Sequence, residues 1–227
     1  MSHAGVFVTG TDTGIGKTHV SCALLHALRH RGYRAAGMKP VASGCRSTPE
    51  GLRNDDAERL IAASESGLDY ATCNPFALPD AIAPHLAARA AGVEITLDPI
   101  LDAHARLARS ADRIVVEGVG GWAVPLSETL MQADLVRALR LPVILIVGLR
   151  LGCINHALLS VAAIRSAGCA LRGWIANRID DAMPFADENI ATLESNIDVP
   201  LLGVVEHGIE PERAASALAR AIDALAQ

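Results

Sequence analysis

Residues 10–18 read GTDTGIGKT and follow directly on the apolar run GVFVT. Glycines at this density let a backbone turn several N–H groups toward one point. The start of a following helix adds the positive end of a dipole, a lysine adds a mobile point charge, and a neighbouring hydroxyl can face a divalent cation. Thr13, Gly14, Ile15, Gly16, Lys17 and Thr18 are therefore candidates to cradle the phosphates of a nucleotide, with Thr18 turned to Mg²⁺. The usual spacing, GxxxxGK[ST], would place glycine at position 11, where this chain has Thr11 and carries its glycine one residue earlier. The alternative, a glycine-rich turn that only joins a strand to a helix, leaves the adjoining Lys17 and Thr18 without a purpose.

Three further positions carry chemistry. Of the 20 basic residues only Lys17 and Lys39 are lysines, so arginine meets the chain's need for surface charge and lysine is kept for two strand ends. A compact ammonium on a flexible stem differs from a guanidinium where a charge must follow a transferring group, which makes Lys39 a candidate active-site residue rather than a solvated one. Ser43, four residues on, can hydrogen-bond a substrate or phosphate oxygen, or simply form a turn. Glu117 closes the apolar run RIVVE and is followed by Gly118, Val119, Gly120 and Gly121. A carboxylate at the buried end of a strand needs a cation, and Mg²⁺ takes one or two carboxylates plus phosphate oxygens and water. Asp56, in LRNDDA, is either a second Mg²⁺ carboxylate or an ordinary acidic residue at a helix start, favoured by the helix dipole; the residues alone leave both open.

Other chemistries find no support. The eight histidines show no HExxH spacing, and His26, His104 and His156 fall in helical stretches. There is no GxSxG elbow. Cys22, Cys45, Cys73, Cys153 and Cys169 include no CxxC pair, which fits reduced thiols in the cytoplasm rather than a disulfide framework or a zinc site. A net charge of −5 without a basic run argues against nucleic-acid and anionic-membrane partners, and 3% aromatic residues are too few for base stacking. The longest strongly apolar run, 141–149, falls far short of the roughly 20 residues that span a bilayer, and the N-terminus has no secretory pattern.

The elements that must position these residues follow from periodicity. Short apolar runs at 6–9, 35–39, 113–117, 143–147, 173–177 and 201–205 alternate with segments of helical period. The first helix carries Val20, Leu24 and Leu28 and stops at Gly32; the others lie at 55–63, 85–91, 100–109, 133–139, 157–167, 184–195 and 211–225. Residues 44–54 are polar and turn-rich and read as an active-site loop. With 51% hydrophobic and 20% charged residues the chain can bury a core. We expect one α/β domain over 1–227: doubly wound, a mostly parallel sheet with helices on both faces, of P-loop NTPase type, with ligands at the carboxyl ends of the strands.

Six blocks in order, GTDTGIGKT, KPVASG, LRNDDA, VEGVGGW, LPVILIVGLRLGCINHA and GWIAN, resemble the dethiobiotin synthetases over residues 6–203. The displaced glycine of the phosphate loop is the form that family uses. The resemblance implies a cytoplasmic ligase of biotin biosynthesis that joins 7,8-diaminononanoate and CO₂ with Mg²⁺ and ATP. One amine takes up CO₂ as a carbamate, which attacks the γ-phosphorus and expels ADP. The second amine then attacks the carbonyl carbon of the resulting carbamic-phosphoric anhydride, expels phosphate and closes the cyclic urea. By the same resemblance Lys17 holds the β- and γ-phosphates, Lys39 lies between carbamate and γ-phosphate, and Thr13 and Ser43 meet the reacting end of the substrate. Thr18, Asp56 and Glu117 organise Mg²⁺, and Gly118 and Gly120 line the nucleotide. Asn177 and Arg178 reach the adenine, with Glu206, His207, Gly208 and Glu212 beside it. Gly152, Cys153, Ile154 and Asn155 come from the other subunit of a homodimer and bind the tail carboxylate of the substrate.

Two other readings are set aside on residues. Septum-positioning and partitioning ATPases of related loop type place a second lysine early in the loop, where this chain has Thr11, Asp12 and Thr13. A cobyrinic-acid-type amidase would need a glutaminase domain for which 227 residues leave no room. A third, a non-catalytic nucleotide-binding module, is left open by the residues alone.

Overall fold

The computed structural model describes residues 5–65 and 67–225; the ends of the expected 1–227 domain, including the first four residues of the N-terminal reading, and residue 66 lie outside them. The chain runs β1 (Gly5–Gly10), α1 (Lys17–His30), β2 (Ala35–Met38), β3 (Val41–Ala42), β4 (Arg46–Thr48), β5 (Gly51–Arg53), α2 (Asp55–Ala63), α3 (Tyr70–Cys73), β6 (Phe76–Ala77), α4 (Pro84–Ala90) and α5 (Leu97–Ser110). It continues through β7 (Arg113–Glu117), α6 (Gln132–Leu139), β8 (Val143–Gly148), α7 (Cys153–Ser166), β9 (Leu171–Asn177), α8 (Ala186–Asn196), β10 (Leu201–Val205), α9 (Pro211–Ala214), a 3₁₀ turn (Ala215–Leu218) and α10 (Ala219–Leu225).

Six strands form one parallel sheet in the order β10-β9-β8-β1-β7-β2. β1 pairs with β7, Val6 opposite Val115, and with β8, Val8 opposite Ile144. Such strands are apolar on both faces because helices cover both. Alternation within β1 shows the division: Phe7 packs into the core that Met38, Val116, Leu145 and Trp174 share with α5, α6, α7 and α8, while Val6 and Val8 join Val20, Leu24, Leu28 and Ile146 under α1. Chain order reverses about β1, which has β7 and β2 on one side and β8, β9 and β10 on the other. The crevice at the carboxyl ends of the strands opens at that point.

All six expected strands are present, and α1 ends as read: Gly32 donates to the Arg29 carbonyl at 2.9 Å and Tyr33 to the Leu28 carbonyl at 3.2 Å. Four local readings are corrected. Residues 44–54, read as an active-site loop, contain an antiparallel hairpin, β4–β5, with Arg46 opposite Arg53. The second strand stops at Met38, because the Lys39 N–H turns to the Cys73 carbonyl at 2.8 Å. The helix expected from 157 starts at Cys153, so residues 153–155 form its first turn rather than a loop. The helix expected over 211–225 is broken into three pieces, and its middle passes so close to β10 that a Cβ on Gly203 would collide with the Ala217 carbonyl.

Candidate active site

The carboxyl ends of β1, β2 and β7 and the start of α1 enclose a cavity of about 820 Å³. The loop between β1 and α1 wraps its phosphate-binding end. Gly14 and Gly16 adopt φ of 73° and 81°, the left-handed region open to glycine without strain, and a Cβ on Gly16 would collide with the Asn177 amide. That amide donates from Nδ2 to the Ile15 carbonyl at 2.8 Å, bracing the loop from below. Asp12 ties the loop together: its Oδ1 accepts from the Thr13 N–H at 2.7 Å and its carbonyl accepts from Lys17 Nζ at 2.9 Å. The Asp12 carboxylate also pairs with Arg150, the residue before the segment leading into α7.

At the centre stands a buried polar cluster. Lys39 Nζ donates to Glu117 Oε1 at 2.6 Å, to Asp56 Oδ2 at 3.0 Å and to the Gly118 carbonyl at 3.2 Å. The Thr18 hydroxyl donates to the same Glu117 Oε1 at 2.8 Å. Glu117 is 0% exposed, and its second oxygen, Oε2, has no hydrogen-bond partner among the described residues. Burial alone would lower Lys39; the Glu117 and Asp56 carboxylates outweigh it and hold the ammonium above its ordinary range. At Lys17 the same carboxylates do not compensate: burial first, then the charge on Lys39, pushes it down to about 8. Burial would raise Asp56, yet Lys39 carries it below the usual carboxylate value.

Asp56 is freed for this role by its neighbour. The Asn54 side chain caps α2 by accepting from the Asp56 and Ala57 N–H groups, so the carboxylate of Asp56 turns into the cavity. Thr18, Asp56 and Glu117 thus converge as one hydroxyl and two carboxylates. The unpartnered buried Oε2 of Glu117 fits a cation there, and all-oxygen donors suit Mg²⁺ rather than a softer metal. Among the described residues no group of three His, Cys, Asp or Glu side chains offers another metal site.

The remaining predicted residues divide into two sets. Thr13, Gly14, Gly16, Lys17, Thr18, Lys39, Ser43, Asp56, Glu117 and Gly120 line the cavity; Ser43 Oγ is buried without a partner, and Gly118 lies behind, its carbonyl on Lys39. Ile15 is buried beneath the loop. Asn177 and Arg178 sit at the end of β9, where Arg178 pairs with Asp187 and with Glu206, the latter at 3.1 Å. Glu206, His207 and Gly208 form an exposed turn after β10, and Glu212 stands beside His26 on a separate depression. Gly152, with φ 95°, leads into α7, where Cys153 is buried; the first intrahelical bond runs from the His156 N–H to the Gly152 carbonyl at 3.1 Å, and the N–H groups of Ile154 and Asn155 precede it. This segment does not line the cavity.

Several contributors escaped the sequence reading. Asn74 is buried and donates from Nδ2 to the Lys39 carbonyl at 2.7 Å, while its Oδ1 accepts from the Tyr70 hydroxyl at 3.0 Å. Tyr70 in turn accepts from the Asn54 N–H at 2.7 Å, linking the helix cap to the lysine. Gln132 shapes the glycine loop after β7, accepting from the Val119 N–H at 2.8 Å and donating to the Gly121 carbonyl at 2.7 Å.

Residues 4–213 match the AAA domain family. The chain is 61% identical over 203 residues to the ATP-dependent dethiobiotin synthetase BioD of Xanthomonas euvesicatoria pv. vesicatoria (strain 85-10), covering 89% of this chain and 91% of that protein. It is 54% identical over 221 residues to that of Xylella fastidiosa (strain 9a5c), covering 96% and 98%. The chain belongs to the ATP-dependent dethiobiotin synthetase family. Among solved structures, the septum site-determining protein MinD complexed with Mg-ADP from Pyrococcus horikoshii OT3 superposes with a TM-score of 0.56 at 17% identity, covering 100% of this chain and 98% of that one. The MinC:MinD cell division complex of Aquifex aeolicus does so with 0.56 at 14%, covering 98% and 94%. At these identities the likeness establishes the P-loop NTPase fold alone. Among the described residues no helix is long and apolar enough to cross a membrane.

Proposed function

We propose that this chain, working as one domain, performs the ATP-dependent closure of the ureido ring of dethiobiotin from 7,8-diaminononanoate and CO₂ in biotin biosynthesis. The observation that carries the mechanism is the shared oxygen of Glu117, which gathers Lys39 and Thr18 at one point beside the phosphate loop. In the resting site Lys39 is held charged by two carboxylates. When ATP enters, its γ-phosphate and the carbamate of the substrate take places beside this ammonium, and Lys17 moves from the Asp12 carbonyl to the β- and γ-phosphates. Thr18, Asp56 and Glu117 would hold Mg²⁺, which would supply neutralisation of charge on the phosphate oxygens. The work of the protein residues is positioning and fixed charge, which phosphoryl transfer requires, and no covalent enzyme intermediate is needed. Ser43 Oγ, buried with no partner among the described residues, and Thr13 line the cavity and would hydrogen-bond the reacting amine end.

The nucleotide runs from this point across the loop toward β9. Asn177 and Arg178 flank its base, with Glu206, His207, Gly208 and Glu212 at the rim. Asn177 gives one Nδ2 hydrogen to the Ile15 carbonyl of the phosphate loop, so its amide keeps Oδ1 and a second N–H for the base.

A homodimer completes the substrate site, with Gly152, Cys153, Ile154 and Asn155 of the neighbour capping the tail carboxylate. Exposed apolar side chains before α7, along it and before α8 support this reading: Leu151 is 97% exposed, Leu159 62% and Phe185 73%. A cytoplasmic setting is supported by five cysteines that are all buried free thiols.

The test is phosphate release from MgATP and bicarbonate with and without 7,8-diaminononanoate, with dethiobiotin followed by mass. Strict dependence on the diamine and stoichiometric dethiobiotin are expected. Diamine-independent turnover would overturn the assignment.

A further inference from the structure

The cavity holds one cation that the reaction scheme does not use. Arg59 lines its wall, three residues beyond Asp56 on α2 and therefore on the same helix face. The acids that would ordinarily neutralise it are already engaged. Arg46 of the β4–β5 hairpin takes Asp55 and Glu58, and Lys39 takes Asp56. Among the described residues Arg59, an exposed side chain at the cavity wall, makes no hydrogen bond or ion pair. The other two lining cations are both held, Lys17 on the Asp12 carbonyl and Lys39 between its carboxylates. Arg59 is also close enough to His19, in the first turn of α1, to act on its charge.

Placement decides which part of a ligand it meets. α2 packs against β2, on the side of β1 opposite β9, where the nucleotide base is proposed to lie. Asp56, one turn earlier, already marks the γ-phosphate end. Resting on the nucleotide reading given above, we infer that Arg59 is a third cationic contact to ATP, directed at its terminal phosphate, and that it makes the site favour ATP over ADP. A guanidinium can bind two phosphate oxygens at once, whereas an ammonium acts as a point charge. The hairpin cation Arg46 then has a positioning task, since by occupying Asp55 and Glu58 it keeps Arg59 available.

The inference is tested by calorimetric titration of wild type, Arg59→Gln and Arg59→Lys with the β,γ-imido analogue of ATP and with ADP, in Mg²⁺ at low ionic strength. Loss of one charge-assisted contact should raise the Kd of the analogue about tenfold in Arg59→Gln while the ADP value moves less than about twofold. Arg59→Lys should fall between. Thermal unfolding should not move, because the side chain makes no bond in the free protein. Equal weakening of both nucleotides, no weakening of either, or a change confined to the KM for the diamine overturns the inference. Diamine-dependent turnover by the wild-type protein, measured alongside, separates that result from failure of the nucleotide reading itself.

Discussion

Replacing Lys39 with glutamine separates what the ammonium does for folding from what it does for reaction. In the folded protein it is 3% exposed, and its nearest partner, Glu117, is 0% exposed. Lys39→Gln therefore leaves a carboxylate buried against a neutral amide, and breaking one partner out of a buried pair costs about 3–5 kcal/mol. At about 2–4 °C per kcal/mol for a chain of this length, Tm should fall by roughly 6–20 °C. Reaction loses a fixed charge beside carbamate and γ-phosphate, an effect of about 10²–10³ in kcat, while ATP binding changes little because Lys17 and the loop amides remain. Calorimetric unfolding measures the first effect, and coupled phosphate release, run below the lowered Tm, measures the second. A double variant, Lys39→Gln with Glu117→Gln, removes the stranded charge and should recover most of the lost Tm without recovering kcat. A folded Lys39→Gln protein that turns over within a few-fold of wild type would take Lys39 out of the chemistry, and a double variant no more stable than the single one would mean that Glu117 is not the source of the destabilisation.

Asp56→Asn should raise the Mg²⁺ concentration for half-maximal rate, read from an Mg²⁺ titration of phosphate release; an unchanged titration would leave Asp56 as a helix-start charge. Gly16→Ala combines a left-handed φ with a collision against Asn177, so nucleotide affinity should fall by at least about tenfold, with a further loss of about 1–3 kcal/mol in stability from strain. Titration with ADP and thermal unfolding report the two. If the 151–155 segment serves the neighbouring subunit, Gly152→Glu and Lys39→Gln proteins, each nearly inactive, should regain activity on mixing, toward one competent site in each mixed dimer; exchange without recovered activity would return the segment to its own subunit.

The sequence showed what is local to a strand end. A phosphate loop carries its glycines, lysine and hydroxyl in nine consecutive residues, and Glu117 closes an unbroken apolar strand, so residue type and element boundary coincide. Lys39 was legible for a different reason, the near absence of lysine elsewhere. The β4–β5 hairpin and the two-residue strands β3 and β6 were not, since strands of two or three residues hold no period, and their pairing depends on partners such as Phe76, 35 residues from Val41. Nor could periodicity place the supports of the site. Tyr70, Asn74 and Gln132 act on backbone groups brought to them by the fold, and nothing in their own neighbourhoods marks them apart from other polar residues in short helices.

Asp56 shows how the two kinds of information combine. An acid in the first turn of a helix has two uses, stabilising the helix end or serving a ligand, and residue type is silent between them. The capping hydrogen bonds of α2 come from Asn54, whose Oδ1 accepts both the Asp56 and Ala57 N–H groups. Asn54 is itself fixed by Tyr70, and Tyr70 by Asn74, which also holds the Lys39 backbone. One chain of hydrogen bonds therefore sets the start of α2 and the backbone of Lys39 together, so Asn54, Tyr70 and Asn74 fix the separation of the two backbones across which the Lys39–Asp56 ion pair closes at 3.0 Å.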